Sequence, residues 1–466
     1  MSDRLDAVVI GAGPAGLACA ALLAAHGATV RLADEQAEPG GQIYRGIGRI
    51  AAEHPGMLDV LGEDYARGQA IVAAFKASGA EYRPSTLVWH VTPEREIWVS
   101  CNGRSEVWNA RALVVATGAM ERPVPVPGWT LPGVMTVGAV QIMLKSAALA
   151  PHARFVLAGS GPLVWLVAKQ CLAAGAKPEA VLDTSTGADQ LSALRHLPMA
   201  LRGAGARLLF KGLAMIGAVQ RSGVPVFRGV SGIRIEGAAE AESVAFRAGG
   251  SDRRIPARIV ALHEGVIPAQ QMTRLIGCAH VWDEGQRCFR PDVDEWGSSS
   301  VDGVLVAGDG AGIFGARAAE HAGRLAALEA LRRIGRLSAK ERDALARDDR
   351  RALASQRAIR RFLDRLYPPP ASIRAPADEI VVCRCEEVTA GAVRDAVRQG
   401  CMGPNQAKAF LRVGMGPCQG RLCGPVVSEV IAAARGITPA EAGYYRIRPP
   451  LKPIGLGELA AVELGE

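Results

Sequence analysis

The sequence predicts an α/β protein: two Rossmann-like dinucleotide-binding units followed by a small, mainly helical C-terminal unit built around cysteines. Three observations carry that expectation. An apolar strand-like run ends in a glycine turn and an Ala/Leu-rich stretch at Gly11, and the same device starts again at Gly159. Strand-like runs and Ala-rich helical stretches alternate as far as Leu366, the α/β pattern. Beyond a proline cluster, Cys383, Cys385, Cys418 and Cys423 form a Cys-x-Cys and a Cys-x4-Cys pair separated by 32 residues.

The first unit begins almost at the N-terminus. Residues Ala7 to Ile10 read as a buried strand leading into Gly11-Ala12-Gly13-Pro14-Ala15-Gly16. Gly11 allows the tight turn, Gly13 lets the backbone approach a pyrophosphate, and Gly16 lets the helix close on the strand. The helix N-terminus offers free N–H groups and a positive dipole to phosphates, about 0.3–1 kcal/mol per charge. A second strand, Thr29 to Ala33, ends in Asp34-Glu35, 18 and 19 residues after Gly16, where a carboxylate meets a ribose hydroxyl.

Three further segments sharpen the nucleotide. Pro39-Gly40-Gly41-Gln42, Leu113 through Ala116-Thr117-Gly118-Ala119, and Val304 through Ala307-Gly308-Asp309 resemble, in order and spacing, segments of the glutathione and thioredoxin reductase flavoproteins. The resemblance implies FAD. It lays Gly41 and Gln42 along the pyrophosphate and flavin, and turns Asp309 toward the ribityl chain. Those reductases need a vicinal dithiol, but here Gly41 is followed by Gln42-Ile43 and no Cys-x-x-Cys occurs. Disulfide reduction is excluded on that ground. Cys19, Cys101, Cys171, Cys278, Cys288 and Cys401 read as buried small hydrophobes.

The second unit, about 152–262, is inserted in a domain spanning 1–366. Phe155 to Ala158 lead into Gly159-Ser160-Gly161-Pro162-Leu163-Val164, with Val164 where the third glycine belongs. Its branched side chain should hold the helix off the strand. The next strand runs into Val181-Leu182-Asp183-Thr184 without an Arg pair for a 2′-phosphate, so NADPH is not expected. NAD, another adenine nucleotide or an empty site stay open at Gly159 and Gly161, and an altered site is the expectation. The stretch from Ser185 to Gly223 is an insertion suited to partner contact. Leu131 to Ala150 is apolar but interrupted by Gly, Pro, Gln and Lys, hence a buried helix or loop rather than a membrane span.

Tyr367-Pro368-Pro369-Pro370, with Pro376, stops helix and central strand alike, making 367–376 a linker. The cysteine unit follows at 377–440, then an extended tail at 441–466. Thr389 is a good N-cap for a helix to Gln399; a second helix follows Pro404 and a third starts at Pro425. Four converging thiolates suit a two-iron cluster. Zinc prefers wider pair spacing, so Cys-x-Cys counts against it without excluding it. The glycines of Gly416 through Gly424 permit backbone contact with sulfide. The unit resembles the bacterioferritin-associated-ferredoxin-like [2Fe–2S] domain.

Composition is that of a globular protein: 466 residues, 49% hydrophobic, 21% charged. The net charge of +8 is spread among acids, with no aromatic-interleaved basic stripe, so nucleic acid is not expected as a partner. The Arg-rich stretch from Arg332 to Arg365 reads as a charged, solvated helix face. Without a secretory n-region or apolar span, the expected location is cytoplasmic, with peripheral contact to the inner membrane through the electron acceptor as an option.

Nearly the whole chain resembles the alpha-type subunits of opine oxidases, D-hydroxyproline dehydrogenases and hydrogen cyanide synthase. Supporting strings are Gly40 through Arg45, Leu262-His263-Glu264-Gly265-Val266-Ile267-Pro268, Gly308 through Gly312, Gly403 through Gly424, and Ile447-Arg448-Pro449-Pro450. The resemblance implies an electron-relaying FAD and [2Fe–2S] subunit. Its partners would be an amine-oxidase-like flavoprotein B subunit, optionally a small ferredoxin-like third subunit, and a quinone-type acceptor. His263, Glu264 and His321 are the candidates for proton handling, against a plainer reading as turn and helix residues. The alternatives are a self-contained NADH-dependent reductase and a nucleotide-binding scaffold.

Overall fold

A computed structural model describes residues 4–462. The first sheet is built around strand Leu5–Ile10, which pairs in parallel with Val30–Ala33 on one side and Arg104–Val115 on the other. Glu81–Arg83 extends it beyond the former, and Val304–Val306 pairs in parallel with Arg104–Val115. The long strand then turns antiparallel through Glu96–Cys101 and Leu87–Val91. Ala7, Val8 and Val9 are completely buried, as a strand covered on both faces requires.

Helix Pro14–Ala25 lies on this sheet against helix Ala316–Arg333. Small residues set the approach. A Cβ on Gly323 would fall 2.1 Å from the Ala15 carbonyl oxygen, so only glycine allows the helices this close.

The second sheet is wholly parallel, in the order Val226–Arg228, Ala180–Asp183, Phe155–Ser160, Ile259–Glu264, Val134–Thr136. The stretch 131–150 holds helix Val137–Ala147, and among the described residues no helix is long and apolar enough to cross a membrane. Between Asp183 and Val226 stand three helices, Gly187–Leu194, Leu197–Ala200 and Gly205–Arg221. A short antiparallel pair, Ala119–Glu121 with Val266–Pro268, joins the two units.

The cysteine unit has a hairpin, Val381–Cys383 with Val388–Thr389, and helices Ala390–Arg398, Pro404–Leu411 and Gly424–Arg435. The Thr389 hydroxyl accepts the Ala392 N–H at 3.2 Å, the cap expected from sequence. The unit is not a tethered bead. Val382, Val393, Val427 and Val430 share one apolar cluster with Val8, Ile10 and Leu113 of the first sheet. The 367–376 segment itself forms helix Ala371–Arg374, whose Ile373 is buried.

Two expectations need correction. The Arg332–Arg365 stretch is not one solvated face; it runs across the end of one helix and three more, Ala339–Leu345, Arg347–Arg357 and Arg360–Leu366. Arg332, Arg333 and Arg342 converge on the buried Glu329 carboxylate at 2.6–2.9 Å. Burial alone would raise that acid, but the three guanidinium bonds bring it down to about 2. Cys101, near a hairpin end, is only partly buried, unlike the other five cysteines grouped with it.

Candidate functional site: a cofactor cleft beside four cysteines

A cleft of about 1640 Å³ opens at the C-terminal ends of the first sheet's parallel strands. Of the residues assigned from sequence to the first nucleotide, all but Gly16 line it: Gly11, Gly13, Pro14, Ala15, Asp34, Glu35, Gly41, Gln42, Ala116, Thr117, Gly118, Gly308 and Asp309. Gly16 lies beneath, where a Cβ would sit 1.8 Å from the Gly11 carbonyl oxygen. Gly11 has φ +106 and no room for a side chain, its Cβ meeting the Ala116 carbonyl at 2.5 Å. The helix starts at Pro14 with Gly13 as a cap that has no side chain, so its first N–H groups are free to face an anion.

Polar groups around the cleft are fixed by backbone. Asp34 accepts the Ala12 N–H at 2.5 Å and the Gln36 N–H at 2.8 Å, while burial raises its pKa. Glu35 is paired instead with Lys452 of the tail, which also lines the cleft. Asp309 Oδ1 accepts from the Phe314 and Gly315 N–H groups at 2.8 and 2.9 Å, and burial raises its pKa too. The Thr117 hydroxyl donates to the Ala269 carbonyl at 3.1 Å.

Sequence reading missed two side chains here. Lys145 lies in the apolar helix Val137–Ala147 and donates to Gln141 Oε1 at 2.8 Å and to the Gln42 carbonyl at 3.2 Å. Burial and then the neighbouring Arg45 bring this ammonium down to about 7. A lone lysine within an apolar run was the available signal. Gln271, also on the cleft, sets its buried side-chain amide beside the Tyr444 hydroxyl. The uncovered helix start at Pro14 and the side-chain-free turn at Gly11 are the features of this wall that fit a diphosphate-bearing cofactor.

The second turn is built differently. Gly159, with φ +135, approaches the His263 carbonyl so closely that a Cβ would lie 1.7 Å from its oxygen. The Ser160 hydroxyl turns away from any phosphate and donates to Glu264 Oε2 at 2.9 Å, while Thr184 donates to Oε1 at 2.8 Å. Burial raises Glu264 to about 7 despite those bonds. His263 Nδ1 lies 2.6 Å from Glu121, whose other oxygen accepts the Gly138 N–H. Val164 is buried. Neither Gly159, Gly161, His263 nor Glu264 lines the cleft, although Pro162, Leu163 and Asp183 do. His321 does not line it either, and is paired with Asp349 at 2.7 Å.

The four cysteines meet as facing pairs. The Cys423 thiol hydrogen-bonds Cys383 and, against burial, lowers it to about 6, while Cys423 itself rises. Cys385 faces Cys418, and burial raises it. Two irons bridged by sulfide can be held by two thiolate pairs. A Cβ on Gly416 would fall 2.2 Å from the Cys385 Cβ, so the loop backbone lies directly on the ligands. Arg421, between Cys418 and Cys423, lines the cofactor cleft.

Comparison with known proteins fits this geometry. Residues 5–326 match the pyridine nucleotide-disulphide oxidoreductase family, and residues 381–433 match the BFD-like [2Fe–2S] binding domain. The alpha-type (A) chain of opine oxidase from Rhizobium meliloti (strain 1021) is 46% identical over 98% of this chain and 98% of its own length. The chain belongs to that opine oxidase family. The hydrogen cyanide synthase protein HcnB of Pseudomonas protegens is 33% identical over 97% of this chain and 96% of its own. Among solved structures, L-proline dehydrogenase from P. horikoshii shares the fold, with TM-score 0.68 and 19% identity over 98% of this chain and 79% of that one. Members of the opine oxidase family are oxidoreductase subunits of a disulphide-reductase fold, and this one has no vicinal dithiol to reduce a disulfide. Family membership puts FAD in the first unit and a [2Fe–2S] cluster in the C-terminal one.

Proposed function

We propose that this chain is the electron-transferring subunit of a hetero-oligomeric opine or amino-acid dehydrogenase or oxidase. In this reading an amine-oxidase-like flavoprotein B subunit, with or without a small ferredoxin-like chain, removes electrons from a CH–NH donor of the opine or D-hydroxyproline type. A quinone-type acceptor takes them up. The observation that carries the reading is the adjacency of cleft and cysteine loop, with Arg421 belonging to both. The cofactors supply the conversion of a two-electron oxidation into single-electron transfers.

The chain's own residues bind and orient. Gly11, Gly13 and the helix starting at Pro14 receive the diphosphate, Asp34 or Glu35 the ribose, and Gly41, Gln42, Thr117 and Asp309 border the flavin end. Cys383, Cys385, Cys418 and Cys423 hold the cluster. The insertion is the proposed surface for the B subunit, because Leu191, Phe210 and Leu213 are 71%, 69% and 64% exposed on neighbouring helices. Exposed apolar side chains of this size favour protein contact, although Phe210 and Leu213 also edge the cleft. A role for the second turn in NAD binding is not favoured, since its serine and threonine hydroxyls are spent on Glu264.

Co-purification with mass spectrometry, followed by an absorption spectrum, tests the reading. The expected result is a complex with flavin and iron–sulfur bands that reduces a dye when given opine or D-amino acid. Full activity from this chain alone would remove the subunit role. Flavin bleaching by anaerobic NADH would instead establish the self-contained reductase.

A further inference from the structure

Helix Gln271–Ile276 has one end in the cofactor cleft and its flank against the cysteine unit. Gln271 and Met272 line the cleft, and Ala269 just before them accepts the Thr117 hydroxyl. Three residues after Gln271, the Arg274 guanidinium lies 4.1 Å from the centre of the Tyr444 ring and 4.9 Å from Phe289. Tyr444 meets Tyr445 edge to face at 5.7 Å, and the Tyr445 hydroxyl is 3.7 Å from the Cys423 sulfur. Contacts thus run unbroken from the cleft wall to a cluster ligand.

The cysteine loop is cut to receive these rings. A Cβ at Gly414 or Gly420 would lie 2.5 or 2.4 Å from Tyr445 ring atoms, and one at Gly424 would lie 2.2 Å from the Tyr444 hydroxyl. Arg274 is harder to explain as filler. Its Nε donates to Gln270 Oε1 at 2.7 Å, its enclosed Nη2 has no partner, and it makes no ion pair among the described residues. Desolvating an unpaired cation costs more than contact with aromatic faces returns. Leucine or methionine would fill the space at less cost. A positive charge kept here acts on a neighbour that becomes more negative when reduced, as an iron–sulfur cluster does.

Given the electron-relay role, we propose that Arg274 and Tyr444 form the electrical contact between cofactor cleft and cluster, with Arg274 as a positioning residue that also raises the cluster's reduction potential. Bound at these sites, a reduced flavin would supply single electrons and an oxidised cluster would accept them, with the balancing proton released to water. Arg274 favours the electron's arrival by its charge and holds Tyr444 between the two sites by its stacking.

The test is an EPR-monitored redox titration of the full chain with both cofactors, alongside anaerobic stopped-flow reduction of the cluster. Arg274→Gln should lower the cluster's midpoint potential, Arg274→Lys should restore most of it, and Tyr444→Leu should slow cluster reduction several-fold. An unchanged potential in Arg274→Gln, or an equal fall in Arg274→Lys, overturns the proposal. If Arg274→Gln does not retain its cluster, an unaltered transfer rate in Tyr444→Leu overturns it instead. Failure of reduced flavin to reduce the cluster in the wild-type chain would sink the relay role itself; normal reduction with indifferent variants would sink the contact alone.

Discussion

The two glycine turns begin from nearly the same sequence and end as different objects. At Gly11 every neighbour is small, the helix start is uncovered, and the turn faces a large cleft. At Gly159 the helix also starts at a proline, but Ser160 is bonded to a buried carboxylate, and neither Gly159 nor Gly161 reaches the cleft. The lesson is that the glycine spacing specifies how strand and helix pack, whereas the residue one strand over decides whether an anion is welcome. Glu264, on the neighbouring strand, is that residue here.

The contrast can be broken most directly at Gly11. Gly11→Ala forces a side chain into a left-handed φ against the Ala116 carbonyl, costing about 1–3 kcal/mol. FAD retention after gel filtration, read from the flavin absorption band, should fall roughly ten- to hundredfold in affinity. Gly161→Ala carries a similar left-handed strain, at φ +111, but its Cβ would meet only the His263 ring at 3.7 Å and it lies off the cleft, so FAD content should stay unchanged. Equal losses at both turns would erase the distinction.

Val164→Gly supplies the missing third glycine. It also empties a buried site and places glycine in a helix, so thermal unfolding should show a loss of about 2–4 kcal/mol. Anaerobic NADH should still fail to bleach the flavin. Bleaching in this variant would mean that valine alone closes the second site.

A further effect is expected at Glu264, and it depends on pH. Burial raises its folded pKa to about 7, above the ordinary 4.5, so the folded state binds the extra proton. Stability from this group is complete below pH 4.5 and is lost as pH rises to 7, by at most about 3 kcal/mol. Glu264→Gln should flatten that segment of a urea-midpoint profile. A profile parallel to wild type would show that Glu264 is ionised throughout.

Much of this was legible in the chain. The residues assigned to the first nucleotide, Gly16 excepted, share the cleft wall because glycine spacing, strand order and the Ala-Thr-Gly turn are all local signals. The Thr389 cap and the helices around the cysteines were local as well. What escaped depends on contacts far apart in sequence. Glu264 sits beneath Ser160 from 104 residues away, and Lys145 meets Gln42 from 103 residues away. Asp34 and Glu35 looked equivalent until the fold gave one to the Ala12 N–H and the other to Lys452. The arginines around Glu329 read as a wet surface because charge count says nothing of convergence.

The apolar cluster shared by the first sheet and the C-terminal unit has a further consequence. Trimming the chain at Tyr367 would strip cover from strands near the N-terminus while leaving the excised fragment with half an interior. The proline stretch is therefore a poor place for an engineer's scissors, since either fragment would lay bare part of the shared interior.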